Sequence, residues 1–148
     1  TNTSFLYSSN FSLGVNLFFE LNKKLAEIMK KYDDYNLKIE ETHHTEKIDK
    51  PSGTAITLAE NIIDQGKYNE WSINNKENSL SIISKRVKNV PGTHIVNYSS
   101  ELDSIEIKHI AKNRKGFALG AVIAAEWLIN NKGVFDMKDV INDPKFKF

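Results

Sequence analysis

Residues 37–63 read LKIEETHHTEKIDKPSGTAITLAENII, and this stretch sets the order of elements in the middle of the chain. Leu37 and Ile39 alternate with polar side chains, as in a half-buried strand. After a polar run, Ser52 stands where a helix N-cap is preferred, and apolar residues then recur at helical spacing until Gly66. The stretch therefore predicts a strand, a polar loop and a helix that begins at Pro-Ser-Gly-Thr.

Similar patterns on both sides extend this prediction to the whole chain. Apolar residues at helical spacing predict a first helix that is capped by Asn10 or Ser12 and ends near Lys31. Residues 68–79 are polar and are predicted to form a loop. The remaining predicted elements are strands at 80–87, 94–99 and 104–110, a helix at about 115–130 and a short helical turn capped by Asp136. We therefore predict an α+β fold, with a mixed, largely antiparallel four-stranded sheet and helices packed on one face.

Length and composition limit the classes of protein that fit. The chain has 148 residues, 20 Lys+Arg, 19 Asp+Glu and no cysteine, and its formal net charge is +1. One compact domain is expected at this length, and the missing cysteine excludes disulfides, thiolate metal sites and thiol nucleophiles. The balanced charge gives no attraction to nucleic acid or anionic membranes, and the longest apolar stretch, 116–129, is too short to span a bilayer. Since no basic signal sequence stands at the N-terminus, we predict a cytoplasmic protein with no nucleic-acid or membrane partner.

The polar loop and the helix start that follows it combine groups that bind and protonate anions. His43, His44 and Lys47 lie within five residues and supply two imidazoles and an ammonium. The helix predicted to start at Ser52 has amides at its N-terminus without a partner in the helix, and its macrodipole favours a negative ligand there. Gly53 lets an anion approach the backbone because it has no Cβ. Together these residues predict a pocket for a small anion, such as a carboxylate, beside a proton donor.

Other interpretations of these residues stay open. Pro-Ser-Gly-Thr can be a simple helix start, and a His-His pair in a polar loop can be solvated surface. A metal site built from His43, His44 and Glu46 is disfavoured because adjacent residues on an extended segment point to opposite sides, so no metal is predicted; His94 and His109, in predicted strands, are expected to be structural. The seven glycines form no Gly-x-Gly-x-x-Gly or Walker loop. A stand-alone, non-catalytic module that binds small anions or mediates assembly is therefore an alternative to an enzyme.

The sequence HHTEKIDKPSGTA at 43–55 resembles the signature of dihydrodipicolinate reductase, the 4-hydroxy-tetrahydrodipicolinate reductase of lysine and diaminopimelate biosynthesis. The resemblance covers about 7–140. Its other matching segments are 9–16, Arg114 with 117–121, and 135–137. It is confined to the C-terminal substrate-binding and tetramerisation domain of the family, and the N-terminal Rossmann cofactor domain is absent. Residues 1–148 are therefore interpreted as a fragment, either a separately expressed domain or a proteolytic product.

This resemblance implies an oxidoreductase that uses NADPH or NADH to reduce a cyclic dicarboxylate to tetrahydrodipicolinate, and that assembles as a homotetramer through its sheets. His43 would be the proton donor, and Lys47 would assist it and bind a substrate carboxylate. The other residues that the family pattern implies are His44, Ser52, Gly53 and Thr54 for the substrate, and Ser8, Ser9, Asn10 and Phe11 for the nicotinamide end of the cofactor. Because the cofactor domain is missing, the fragment alone is expected to be inactive.

The chain departs from the family pattern at a few positions. Lys38 stands where the family usually has Glu, and Thr45 and Glu46 replace residues that are commonly basic. The stretch 86–94 is shorter than in most members, so no site residue is inferred from it. None of these departures affects the proton donor or the predicted anion pocket.

Overall fold

The computed structural model describes residues 2–146, and its contacts divide the chain into two compact units. One unit runs from Phe18 to Lys112, and the other combines the N-terminal segment up to Leu17 with the segment from Asn113 onward. In chain order, the elements of the described residues are β1 (Ser4–Leu6), α1 (Leu13–Met29), β2 (Asn36–His43), α2 (Gly53–Ile63), β3 (Trp71–Ser72), β4 (Leu80–Arg86), β5 (Gly92–Ser99), β6 (Ser104–Ala111), α3 (Lys115–Ile129), β7 (Gly133–Phe135) and α4 (Met137–Asn142). The predicted α+β class is confirmed.

The unit from Phe18 to Lys112 is built on a five-stranded mixed sheet with the order β3-β4-β2-β5-β6. β2 pairs parallel with β4 and antiparallel with β5, and β5 pairs antiparallel with β6. The parallel pair arises because α2 connects β2 to β4 as a crossover helix. The predicted strand count of four is wrong by one, since β3 adds a parallel edge strand to β4 within the predicted 68–79 loop. Two residues are too few to show the alternation that identifies a strand in sequence.

One face of this sheet carries the core. Every second residue of β5, and of β2 from Leu37 onward, is buried, and α2 packs on β2 and β4. Asn22 of α1 is fully buried and donates from Nδ2 to the Leu58 carbonyl of α2 at 3.0 Å, which joins the two helices. Each large apolar side chain buried here stabilises the fold by about 1.5–3 kcal/mol. The largest of them are Tyr98, Ile39, Leu58, Ile62, Leu80 and Ile82.

The second unit contains a two-stranded parallel sheet, β1 with β7, on which α3 packs. Gly120 of α3 is required for this packing because a Cβ there would lie 1.8 Å from the Phe11 carbonyl oxygen. Asp136 caps α4 as predicted, accepting from the amides of Lys138 and Asp139. No helix within the described range 2–146 has both the length and the apolar character needed to cross a membrane.

Candidate functional site

The inward face of the sheet changes from apolar to polar at the end of β2. Glu41 and His43 continue the alternation of buried positions, and Glu41 is completely buried. Strand pairing places His94 of β5 opposite Glu41 and Arg86 of β4 opposite His43. Two imidazoles, a carboxylate and a guanidinium therefore meet at one end of the core, although 45 residues separate Glu41 from Arg86 in the chain.

Glu41 is the centre of this cluster, and its two carboxylate oxygens have different partners. Oε2 lies 2.7 Å from His43 Nδ1. Oε1 accepts hydrogen bonds from the Ser52 amide and from both terminal nitrogens of Arg86, each at 3.2 Å. Burial acts to raise the pKa of Glu41, but its interactions with His43 and Ser52 outweigh burial and hold the pKa well below its usual value. Glu41 is therefore a buried, charged carboxylate near neutral pH.

His94 links the cluster to the start of α2. Its Nε2 lies 3.2 Å from Ser52 Oγ, and its ring meets the His43 ring edge to face at 4.9 Å. Burial, together with the nearby His43, lowers the pKa of His94 to about 3, and Glu41 offsets this only in part. His94 is therefore neutral at pH 7.

The N-terminus of α2 has the geometry that the sequence predicts. Ser52 is the N-cap, with φ −68° and ψ 155°, and its Oγ accepts from the Ala55 amide at 3.2 Å. The first bond inside the helix joins the Ile56 amide to the Ser52 carbonyl. Gly53 is exposed at the start of the helix, and Thr54 behind it is buried. The helix dipole and the first amides therefore favour an anion at Gly53.

The loop between β2 and α2 carries the other predicted residues. Lys47 Nζ lies 2.9 Å from Asp49 Oδ2, and this hydrogen bond lowers the pKa of Asp49. Arg86 donates from Nε to the Lys47 carbonyl at 3.1 Å and from Nη2 to the Asp49 carbonyl. His44 is half-buried, with Nδ1 3.9 Å from a carboxylate oxygen of Glu46. The guanidinium that bonds Glu41 thus also fixes the backbone of the loop between β2 and α2.

The cluster contains three side chains of the types that bind metal ions. Glu41, His43 and His94 each offer a ligand atom, and these three atoms lie within 4.8 Å of one another. A cation there would meet the guanidinium of Arg86, which already compensates the Glu41 charge. Positive charge beside the cluster disfavours a second cation, so the donor set does not fit a resident metal.

Residues 8–11, predicted to line the cofactor, lie in the unit that contains β1 and α3. Ser8 Oγ donates to the Asn10 carbonyl at 2.7 Å, and Asn10 Oδ1 accepts from the Ser12 amide at 2.9 Å. Asn16 donates from Nδ2 to the Asn10 carbonyl at 2.8 Å. These bonds fix the backbone of the segment, while Ser9 is exposed.

Sequence reasoning missed Glu41, Arg86 and Gly92, and it predicted only a structural role for His94. A charged residue in phase with the buried positions of β2 is the signal that could have identified Glu41. Gly92 approaches the site from β5, and a Cβ there would lie 3.2 Å from His43 Nε2. Its missing side chain therefore leaves room beside the second nitrogen of that ring.

Known proteins resemble this chain in sequence along most of its length. It is 56% identical over 143 residues to the 4-hydroxy-tetrahydrodipicolinate reductase of Christiangramia forsetii, covering 95% of this chain and 60% of that protein. The enzymes of the same name from Buchnera aphidicola and Methanosarcina barkeri are 40% and 38% identical over 153 and 144 residues, each match covering 93% of this chain and 54% of the relative. The chain thus spans little more than half the length of the curated relatives it matches.

A solved structure shares the fold. Dipicolinate-bound dihydrodipicolinate reductase from Paenisporosarcina sp. TG-14 matches with a TM-score of 0.65 at 22% identity, over 91% of this chain and 54% of that one. The model of the family described as dihydrodipicolinate reductase, C-terminus, matches residues 14–141. The chain therefore belongs to the dihydrodipicolinate reductase C-terminal family.

Proposed function

We propose that this chain is the substrate-binding part of a 4-hydroxy-tetrahydrodipicolinate reductase, which reduces a cyclic dicarboxylate in lysine and diaminopimelate biosynthesis. One observation carries the proposal. A single carboxylate, Glu41, contacts both the imidazole of His43 and the amide of Ser52, so a proton donor lies beside the N-terminus of α2. The names of the curated relatives support the activity.

The substrate needs two separate anion sites because it carries two carboxylates. One is the N-terminus of α2, where the Gly53 and Thr54 amides and the helix dipole hold a carboxylate, and Ser52 contributes as the N-cap. The second is Lys47, with His44 as a further contact. The Lys47 ammonium is paired with Asp49, an exposed carboxylate whose place a substrate carboxylate would take in this proposal. The dipicolinate bound to the Paenisporosarcina enzyme is a ligand of this class.

His43 delivers the proton in this proposal. The Lys47 ammonium assists it by binding the substrate carboxylate and stabilising its negative charge. When bound, NADPH or NADH would supply the hydride for this reduction, which proceeds with loss of water. Ser8, Ser9, Asn10 and Phe11 fit one end of such a cofactor because their backbone is fixed by side-chain bonds and they are not buried. Because Gly92 has no Cβ, no side chain from this position crowds His43 Nε2, the nitrogen that carries the transferred proton in this proposal.

The outward face of the five-stranded sheet supports assembly into the proposed homotetramer. Ile95 of β5 and Ile110 of β6 lie on this face, and Ile110 is 57% exposed. The same face carries charged side chains such as Glu40 and Lys85, so a second copy would pack on it through apolar and charged contacts together. Sedimentation of the chain and of the Ile110→Lys variant tests this: a tetramer that the variant dissociates supports it, and a monomeric parent chain refutes it.

Calorimetric titration with pyridine-2,6-dicarboxylate, with and without NADH, tests the substrate site. The samples are the chain itself and a chimera that joins it to the part of the Christiangramia forsetii reductase it does not cover. We expect His44→Ala and Lys47→Ala to weaken binding at least about tenfold, or 1.4 kcal/mol. Lys38→Ala is the matched control, because Lys38 is exposed and lies on the face of β2 opposite to Glu41 and His43. This variant should bind the dicarboxylate as the parent does. Absence of binding by the chimera with NADH present would contradict the proposal.

A further inference from the structure

Burial of the Glu41 carboxylate makes an unfavourable contribution to the free energy of folding. Taking a carboxylate fully out of water costs several kcal/mol, and pairing offsets this only when the geometry is good. Its partners are His43, Ser52 and Arg86, all at the polar end of the core. The neighbouring inward positions of β2, Leu37 and Ile39, are apolar. A leucine at position 41 would continue the apolar core without the cost of burying a charge. The carboxylate therefore has a role that depends on these contacts.

We propose that Glu41 is a positioning residue of the reductase, holding the His43 ring by Nδ1 so that Nε2 presents the proton to the substrate. This inference rests on the proposed function. Glu41 Oε2 lies 2.7 Å from His43 Nδ1, the distance of a charge-assisted contact. The opposite ring nitrogen faces the space left by Gly92. The carboxylate thus fixes which nitrogen is buried and which one is left for chemistry.

Arg86 makes this orientation specific. Its two terminal nitrogens both bond Oε1 at 3.2 Å, and the Ser52 amide donates to the same oxygen. Three donors therefore occupy Oε1, while Oε2 lies 2.7 Å from His43 Nδ1 and 4.0 Å from His94 Nε2. Arg86 also donates to the carbonyls of Lys47 and Asp49. The same guanidinium therefore fixes both the Glu41 carboxylate, which contacts His43, and the backbone of the loop between β2 and α2.

The Glu41→Gln substitution is informative because the partners dictate how glutamine must sit. Its oxygen has to face Arg86 and the Ser52 amide, since the amide nitrogen has no acceptor there. The NH2 group then faces His43 Nδ1, which must accept instead of donate. The ring becomes a neutral Nε2–H tautomer, a far weaker acid than the imidazolium that a carboxylate stabilises.

The pH dependence of turnover reports this change separately from stability. The charged and titratable groups around His43 are Glu41 on its own strand, Arg86 from β4 and His94 from β5. Lys47 of the loop acts electrostatically on the adjacent His94. Among the described residues, Glu41 is the carboxylate in contact with the ring. Removing its charge should change the shape of the kcat/KM profile against pH, whereas a loss of stability alone would lower kcat/KM and leave that shape unchanged.

The experiment measures kcat and KM against pH for the chimera described above, with Glu41→Gln, Glu41→Asp and Glu40→Gln. Glu40 is the matched control, because it faces outward and pairs with Lys85. We expect Glu41→Gln to lower kcat about 100-fold or more, the usual contribution of a general acid, with KM within about threefold. Glu41→Asp keeps the charge and should recover at least tenfold of kcat with the parent pH profile. Parent-like turnover and pH profile in Glu41→Gln would overturn the inference while leaving the proposed function intact.

A second readout uses the 148-residue chain and does not depend on turnover. Long-range proton–nitrogen NMR distinguishes the two neutral tautomers and the charged form of His43. The parent and Glu41→Asp should carry a proton on Nδ1, and Glu41→Gln should not. An unchanged His43 spectrum in Glu41→Gln would overturn the inference even if the chimera were inactive. An inactive parent chimera that cannot bind the dicarboxylate would instead count against the proposed function.

Discussion

Removing the hydroxyl of Ser52 should destabilise the fold more than the loss of a helix cap alone. Ser52 Oγ accepts from the Ala55 amide and also contacts the buried His94 Nε2 at 3.2 Å. The Ser52→Ala substitution leaves the backbone bonds of residue 52 to Glu41 and Ile56 in place. The perturbation is therefore confined to two contacts of one oxygen atom.

The expected magnitude is the sum of two losses. An N-cap serine replaced by alanine costs about 1 kcal/mol. The imidazole nitrogen of His94 also loses its hydrogen-bond partner while His94 stays 4% exposed, and an unsatisfied buried polar group costs about 1–3 kcal/mol. The free energy of unfolding should therefore fall by about 2–4 kcal/mol. With a urea m-value of about 2 kcal/mol/M, the unfolding midpoint should fall by about 1–2 M.

Urea unfolding followed by far-UV circular dichroism measures this change. Thr57→Ala is the control on the same helix, because it removes a hydroxyl whose bond to the Gly53 carbonyl is exposed, and alanine's helix propensity offsets the loss. Its free energy of unfolding should change by no more than about 0.5 kcal/mol. In a His94→Phe background, Ser52→Ala should cost only the cap, about 1 kcal/mol. Equal, small effects of Ser52→Ala and Thr57→Ala would refute the reasoning.

Three further predictions concern single groups. The pKa of His94 falls from 6.5 to about 3 on folding, so stability present at pH 7 is lost as pH falls below 6.5; about 2 kcal/mol should be lost by pH 5, and His94→Gln should abolish most of that loss in urea titrations at both pH values. Gly92→Ala places a Cβ 3.2 Å from His43 Nε2, which must displace the ring by a few tenths of an ångström; kcat of the chimera should fall about tenfold with the unfolding midpoint little changed, and parent-like kcat would argue against a role for that nitrogen. Gly120→Ala sets a Cβ 1.8 Å from a backbone carbonyl, whereas at Gly116 the nearest atom is 3.7 Å away; thermal unfolding should show severe destabilisation in the first and a gain of about 0.5–1 kcal/mol in the second, and equal behaviour would show that α3 is placed differently.

Local patterns predict the elements that carry their own signals. Ser52 was identified as an N-cap because its side chain and the apolar period after it are adjacent in sequence, and the structure confirms the cap. Asp136 was found in the same way. The helices end within three residues of the predicted positions because their limits depend on residues within one turn. Interactions between residues that are close in sequence are therefore enough to predict the helix caps and the helix ends.

Long-range register is what sequence patterns could not supply. Arg86 reaches Glu41 only because β4 pairs parallel with β2 in one particular register, and no short-range signal encodes that register. Glu41 itself follows the buried alternation of Leu37 and Ile39, but a carboxylate is not expected at an inward position until its partner is known. The predicted site therefore contained the residues of the motif and lacked the residues that hold them in place.

The charges of the cluster explain why these partners occur together. Glu41 carries one negative charge and Arg86 one positive charge, and they compensate each other in the interior. His94 is held neutral by a pKa of about 3, so it bonds Ser52 without adding charge. In the proposed reaction, a proton on His43 would be the single uncompensated charge of the four side chains, and its transfer to the substrate would leave the cluster neutral. Glu41 lies 2.7 Å from the His43 ring nitrogen and carries a charge, whereas His94 meets the same ring edge to face and is neutral. Changing Glu41 should therefore disturb proton delivery more than changing His94 does.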